Sequence, residues 1–357
     1  MSGLDRLLEN PLPFPGAKAG FLGHHASLTR QGRHAVECLL EKAEWEITRL
    51  FSPEHGFFGA AAAGELVGNL RHPEWDLPLF SLYGEHRSPP PAWLQGLDLM
   101  VVDLQDLGVR CYTYASTLLL MMRACAQAGV SMIVLDRPTP LAGIIDGPDL
   151  DASLESFVGM IPLPLVFGLS QGALAEFLHK TDSECRKLNL QVFRDSEAPG
   201  LEARWVPPSP AIVSVQSARL YPVTVWCEAV PGVRVDRGGP HSFSEWLMPD
   251  FPDALFSNPP RFSGMQAESF SRHIDGRLWS GWRFSIPDLS AFRPVENAVR
   301  LLCALRDHLG AERLFDTEGA RPEFFDRLIG TATVRKQIQR GAETAEICRD
   351  WQWQNAQ

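Results

Sequence analysis

Short apolar runs alternate, along the first two thirds of the chain, with segments whose apolar residues recur at helical spacing. The runs at 17–22, 46–51, 77–82, 99–103, 131–136 and 188–193 predict strands. Those at 99–103 (LMVVD) and 131–136 (SMIVLD) are almost continuously apolar, as in strands covered on both faces. Between them, 32–43, 114–128 and 173–180 read as helices. In the second, Leu118, Met121, Met122 and Cys125 make one apolar stripe, and Gly129 supplies a C-terminal stop. This alternation predicts an α/β fold, an open parallel sheet with helices on both faces. Near residue 240 the pattern changes. Loop-rich aromatic stretches (Phe243, Trp246, Phe251, Phe256) precede two amphipathic segments, 294–309 and 324–341. The expected division is a sheet domain over 1–240 and a smaller α+β auxiliary domain over 241–357.

Composition narrows the partners. With 33 Lys and Arg against 43 Asp and Glu, the 357-residue chain carries a formal charge of −10. An acidic chain without a basic run is a poor match for a nucleic-acid backbone. No apolar stretch approaches the ~18 residues of a membrane span. The start shows no basic stretch followed by an apolar one, and the 7 cysteines are scattered and never spaced C-x-x-C. Together these predict a reduced, cytoplasmic setting, with no membrane partner. Oligomeric state is not legible at this level.

In open parallel sheets, ligands bind beyond the carboxyl ends of the strands. Four expected strands deliver polar groups there. These are Pro53-Glu54-His55-Gly56, then Ser81-Leu82-Tyr83-Gly84, then Asp103-Leu104-Gln105-Asp106 followed by Arg110, Tyr112 and Tyr114, and finally Asp136-Arg137-Pro138. Carboxylates, hydroxyls, guanidinium groups and rings at one edge suit a carbohydrate pocket. Each has a plainer reading. Glu54 is a solvated turn residue, Asp106 caps the next helix, and Arg110 pairs with Asp106 or Asp136. One tyrosine packs in the core, and Arg137 holds a loop.

Competing chemistries are weaker. Gly168-Leu169-Ser170-Gln171-Gly172 matches G-x-S-x-G between a strand-like run and a helix, with Asp236 and His241 available in triad order. That makes a serine hydrolase using Ser170 the alternative from another class. Six of the 10 histidines precede residue 87, but His24-His25 point apart on a strand and no metal-binding spacing occurs. No G-x-G-x-x-G follows the first strand. Neither a metal nor a cofactor is expected.

In this order, the segments 51–59, 81–84, 103–114, 135–140 and 205–210, with 325–330 and 334–341, resemble the bacterial exo-β-N-acetylmuramidase family of peptidoglycan hexosaminidases. The resemblance implies a Rossmann-like domain with an auxiliary domain. It also implies release of N-acetylmuramic acid from the non-reducing end of peptidoglycan fragments, with a sugar or muropeptide as partner. Glu54 becomes the favoured general acid, with Asp106 in the second acidic role, Glu228 as its alternative, and His55 beside the acid or fixing its turn. Ser81, Tyr83, Asp103, Gln105, Tyr112, Tyr114, Asp136 and Arg237 are the expected substrate contacts. Arg110 and Arg137 suit the lactyl carboxylate. The chain departs from the family pattern at Gly23-His24, Thr139, 167–170 and Ala211, and keeps only part of the Glu228–Arg237 stretch. A member with weakened catalysis or altered specificity is therefore the alternative within the family.

Overall fold

A computed structural model describes residues 2–10, 13–42, 44–195, 201 and 205–351. The chain forms two compact units that interleave along the sequence. The first comprises Met1–Gly108, Tyr112–Ala142 and Gly168–Pro210; the second comprises Val109–Cys111, Gly143–Phe167 and Ala211–Gln357. The chain thus enters the second unit for good at Ala211, whereas composition alone places the division at 240.

The first unit opens with α1 (Gly3–Leu8), whose Ser2 and Asp5 satisfy each other's backbone as a capping box. Then come β1 (Lys18–Gly23), α2 (Ala35–Lys42), β2 (Glu46–Ser52), β3 (Leu70–Arg71), β4 (Pro78–Ser81), α3 (Pro91–Leu94), β5 (Leu99–Asp103), α4 (Tyr114–Ala128), β6 (Ser131–Leu135), α5 (Gln171–Thr181) and β7 (Leu190–Phe193). Ala43, within the helix expected over 32–43, lies outside the described residues. The seven strands run in the order β3-β4-β2-β1-β5-β6-β7, all parallel except the short edge strand β3.

Alternation along the strands explains the apolar runs. Ala19, Phe21, Leu99, Val101, Ile133 and Leu135 join one core with Leu4 and Leu7 of α1 and Val36 and Leu39 of α2. Their neighbours Leu22, Met100, Val102, Met132 and Val134 point to the other face and are equally inaccessible. The α4 stripe of Leu118, Met121, Met122 and Cys125 is buried as well, and Gly129 ends that helix in the left-handed conformation at φ 70°.

The order of strands reverses direction at β1. From there the chain moves outward through β2 and β4, returns to β5 on the other side, and moves outward again through β6 and β7. The crevice beyond the ends of β1 and β5 is therefore the topological switch point, where parallel sheets bind ligands.

The second unit carries α6 (Val215–Thr224), β8 (Glu245–Met248), α7 (Asp253–Ser257), β9 (Gln266–Ile274), β10 (Arg277–Ser285), α8 (Pro294–Leu309), α9 (Ala311–Phe315), α10 (Pro322–Ile329), α11 (Ala332–Gln339) and α12 (Thr344–Ile347). β8, β10 and β9 make an antiparallel sheet. The stretch read as loops holds a long hairpin closed by Asp275-Gly276, both at positive φ, the geometry a two-residue type I′ turn requires. The amphipathic segment 324–341 is two helices, broken where Gly330 turns left-handed at φ 88°. Trp226, Trp246, Trp282, Phe284 and Phe325 fill this unit's core. The start of α8 is capped from a distance: the Asp146 carboxylate accepts from the Val295 and Glu296 amides at 2.7 and 3.3 Å. Burial pushes Asp146 up to about 6, and those amides pull it back down. Among the described residues, no helix is long and apolar enough to cross a membrane.

Candidate active site

Three connections at the carboxyl edge of the first unit build the site. Beyond β2 the chain turns at Pro53 and places Glu54, 8% exposed, inside the fold. The next residue, His55, takes a left-handed φ of 71°, and its Nδ1 donates to the Ala61 carbonyl at 2.8 Å. His55 thus ties down the loop that carries the acid, and the loop returns to it: the Gly64 amide donates to Glu54 Oε1 at 2.9 Å.

The other carboxyl oxygen, Oε2, accepts from Thr113 Oγ1 at 2.6 Å. Thr113 occupies the N-cap of α4, where a threonine normally bonds its own helix, yet it makes no side-chain cap. Its hydroxyl serves Glu54 instead, and sequence reasoning missed it. The signal was present as a capping residue directly before an apolar helix and between two tyrosines. A hydroxyl can rotate to accept as well as donate, so Thr113 satisfies Glu54 whether or not that oxygen carries a proton.

Tyr112 and Tyr114 flank it, their rings 4.8 Å apart. Tyr114 is fully enclosed and donates to the Pro208 carbonyl at 2.9 Å and more weakly to the Glu54 carbonyl at 3.3 Å. Burial holds both phenols protonated far above their usual range, and the charges of Glu54 and Asp106 act on both rings in the same sense. The two carboxyls therefore share one neighbourhood. Sequence alternation had left one tyrosine to the core. Both are buried, and both border the acids.

Asp106 is enclosed by the fold. Its Oδ1 accepts from the Gly108 amide at 2.8 Å, while Oδ2 is buried with no hydrogen-bond partner. Burial pushes it up to about 7, against the pull of backbone amides. Relative to an ordinary value near 3.8, the folded state disfavours its ionised form. The cost is absent below pH ~4, grows as pH rises to ~7 and is complete above that. Asp106→Asn should therefore gain stability over the parent at pH 8 by up to about 4 kcal/mol. At pH 4 the gain should vanish. Urea unfolding at both pH values checks it, and an equal difference at both would count against an uncharged Asp106.

At the switch point itself, His24 follows β1 and Gln105 follows β5. The Gln105 amide donates to His24 Nε2 at 3.1 Å, across the gap between the two strands. Burial keeps His24 neutral, well below its usual range, so that nitrogen is a lone-pair acceptor. Gln105 also donates its side-chain amide to the carbonyls of Asp106 and Pro138 at 3.1 and 2.9 Å. Its side-chain nitrogen thereby shapes the connection. Ser81 and Tyr83 form their own turn beyond β4: Ser81 Oγ accepts from the Tyr83 amide at 3.1 Å, and the Arg87 guanidinium sits 3.5 Å over the tyrosine ring.

Other expected contacts have structural partners. Buried Asp103 and half-buried Arg137 face each other, with Nη2 to Oδ2 at 2.8 Å and Nε on the other oxygen. Burial opposes the charge of Arg137, but Asp103 more than offsets it and raises its proton affinity. Arg137 therefore ties the end of β6 to the end of β5 and to the Leu28 carbonyl. Asp136 accepts from the Gly172 and Asp195 amides, at 2.7 and 3.3 Å, and so fixes the start of α5.

Arg110 departs furthest from expectation. It belongs to the second unit, is fully buried, and donates to the carbonyls of Pro148, Leu163 and Ile329. Burial lowers it to about 10. Neither Asp106 nor Asp136 is its partner. Glu228 and Arg237, also in the second unit, pair with each other at 2.6 Å.

Ser170 is an ordinary N-cap. Its Oγ accepts from the Ala173 amide at 3.3 Å with backbone φ −67°, without the strain of a nucleophile elbow. Asp236, its expected acid partner, accepts from the His241 amide and binds Arg272, both at 3.0 Å. Ser170→Ala should cost about 1 kcal/mol of stability, as a lost cap does, and leave catalysis in place. A fluorophosphonate that labelled Ser170 would reverse that expectation.

Residues 19–216 match the family model described as exo-beta-N-acetylmuramidase NamZ, N-terminal, and residues 219–357 match its C-terminal counterpart. The peptidoglycan beta-N-acetylmuramidase NamZ of Bacillus subtilis is 29% identical over 366 residues, spanning 98% of this chain and 87% of that protein. A crystal structure of a DUF1343 family protein from Bacteroides fragilis superposes with TM-score 0.86 at 24% identity, covering 98% of this chain and 94% of the other. A second from the same organism gives 0.74 at 26%, covering 99% and 94%.

Proposed function

The chain belongs to the exo-beta-N-acetylmuramidase NamZ family, and on that basis we propose that it is a peptidoglycan glycosidase releasing N-acetylmuramic acid from the non-reducing end of wall fragments. The observation that carries this reading is Glu54, a carboxyl enclosed beyond β2 and held by Gly64 and Thr113 in the neighbourhood of Asp106 and two tyrosines.

Glycosidic cleavage requires a proton on the leaving oxygen and support for positive charge at the anomeric carbon. Glu54 supplies the proton. The Gly64 amide fixes Oε1 and the Thr113 hydroxyl fixes Oε2, which together orient the carboxyl. Asp106 serves as the second acidic group, as base or as the group that orients the substrate. An N-acetylated sugar also brings an acetamide oxygen able to attack its own anomeric carbon, so a protein nucleophile is not required. His55 acts through the loop and not on the sugar.

The test is hydrolysis of an aryl β-N-acetylmuramide and of the disaccharide N-acetylmuramyl-N-acetylglucosamine. Free N-acetylmuramic acid is expected from both. Calorimetric binding of the sugar without any release would replace this reading by that of a sugar-binding member of the family.

A further inference from the structure

Unmet hydrogen-bonding atoms in a folded interior are rare and destabilising, so a group of them calls for an occupant. In the first unit, such atoms sit on two connections, from β5 to α4 and from β6 into α5. Asp106 Oδ2, Thr139 Oγ1 and both amide atoms of Gln171 are buried and without partners, on residues 4%, 6% and 1% exposed. They follow β5, follow β6 and open α5, respectively.

The backbone brings these connections against one another. The Gly108 amide holds Asp106 Oδ1 at 2.8 Å, and the Gly108 carbonyl accepts from the Gly168 amide at 3.2 Å. Gly108 itself is at φ +74°, and a Cβ there would stand 2.7 Å from Thr139 Oγ1 and 3.3 Å from the Gly168 Cα. Only a glycine fits so close an approach. The Gly168 segment then leads into Gln171, beside the Asp136–Gly172 bond.

Within the glycosidase reading, on which this rests, we propose that Asp106, Thr139 and Gln171 form the receptor for the 2-acetamido group of the sugar. A secondary amide presents one donor and one acceptor close together. The N–H donates to Asp106 Oδ2, while the carbonyl oxygen accepts from Gln171 Nε2 and the Thr139 hydroxyl. A 2-hydroxyl offers no carbonyl to the donors. A free 2-amine suits Asp106 but leaves Thr139 and Gln171 unmatched. The receptor thus reads the acyl group.

The experiment compares kcat/KM for an aryl β-N-acetylmuramide with that for its de-N-acetylated counterpart. The parent protein should prefer the acetylated sugar by about 10²-fold or more, the scale on which buried unpaired polar groups reject an analogue. Gln171→Met and Thr139→Val, which keep volume and delete the polar atoms, should each lower that preference at least ~10-fold. Thermal unfolding of both variants should be unchanged or raised, because an unpaired buried group is removed. Parent turnover with an unchanged preference in both folded variants would overturn the receptor. A parent inactive on every muramide would instead remove the glycosidase reading. Calorimetry with N-acetylmuramic acid and muramic acid would then decide the receptor alone, equal affinities overturning it. Should one variant fail to fold, the other carries the comparison.

Discussion

Replacing Glu54 by Gln is expected to lower turnover of an aryl β-N-acetylmuramide by about 10²–10⁴-fold, the usual contribution of a positioned general acid. The substitution is nearly neutral for the fold. The new amide oxygen can still accept from Gly64, and the new amide nitrogen can donate to Thr113, whose hydroxyl turns to accept. What disappears is the transferable proton. The loss should therefore depend on the leaving group. It should be largest for a poor one, the sugar hydroxyl of the disaccharide N-acetylmuramyl-N-acetylglucosamine, and much smaller for a dinitrophenolate, which departs without protonation. Equal losses for both would take proton donation away from Glu54, and undiminished turnover would take the residue out of the mechanism.

Arg110→Met should cost about 2–4 kcal/mol of stability, read by urea unfolding. The carbonyls of Pro148, Leu163 and Ile329 would lose a common donor, each at about 1–3 kcal/mol. Relief from burying a cation returns part of that. Lysine would not rescue it, because one ammonium cannot reproduce the fork of a guanidinium. Preference for muramic acid over N-acetylglucosamine substrates should survive the change. Lost preference with stability intact would restore Arg110 as a substrate anchor.

Most strands were legible because a sheet covered on both faces writes uninterrupted apolar runs; the predicted 99–103 strand is β5 to the residue. The carboxyl-edge rule likewise led to Glu54, Asp106 and the tyrosines, since loops after parallel strands share one edge whatever their sequence. Partner choice was not legible. Arg110 and Arg137 carry the same chemistry whether they grip a ligand or a carbonyl, and only the fold decides. Thr113 went unread because capping is a local rule, and its bond to a residue 59 positions away is not local. The Asp275-Gly276 hairpin was the opposite case, a strong local turn signal within a stretch read as loops. The break between α10 and α11 was hidden because helical periodicity continues across Gly330.

Arg110 and Ile329 are 219 positions apart. At the ribosome's pace of about 5–20 residues per second, the guanidinium emerges some 10–40 s before its last carbonyl. Throughout synthesis it is a cation held for a core that does not yet exist. Premature burial would strand its charge, so the nascent chain gains by keeping this stretch hydrated until the distal helices arrive. Slow translation or early release should then show first as misassembly of the second unit, with the β-sheet of the first already formed.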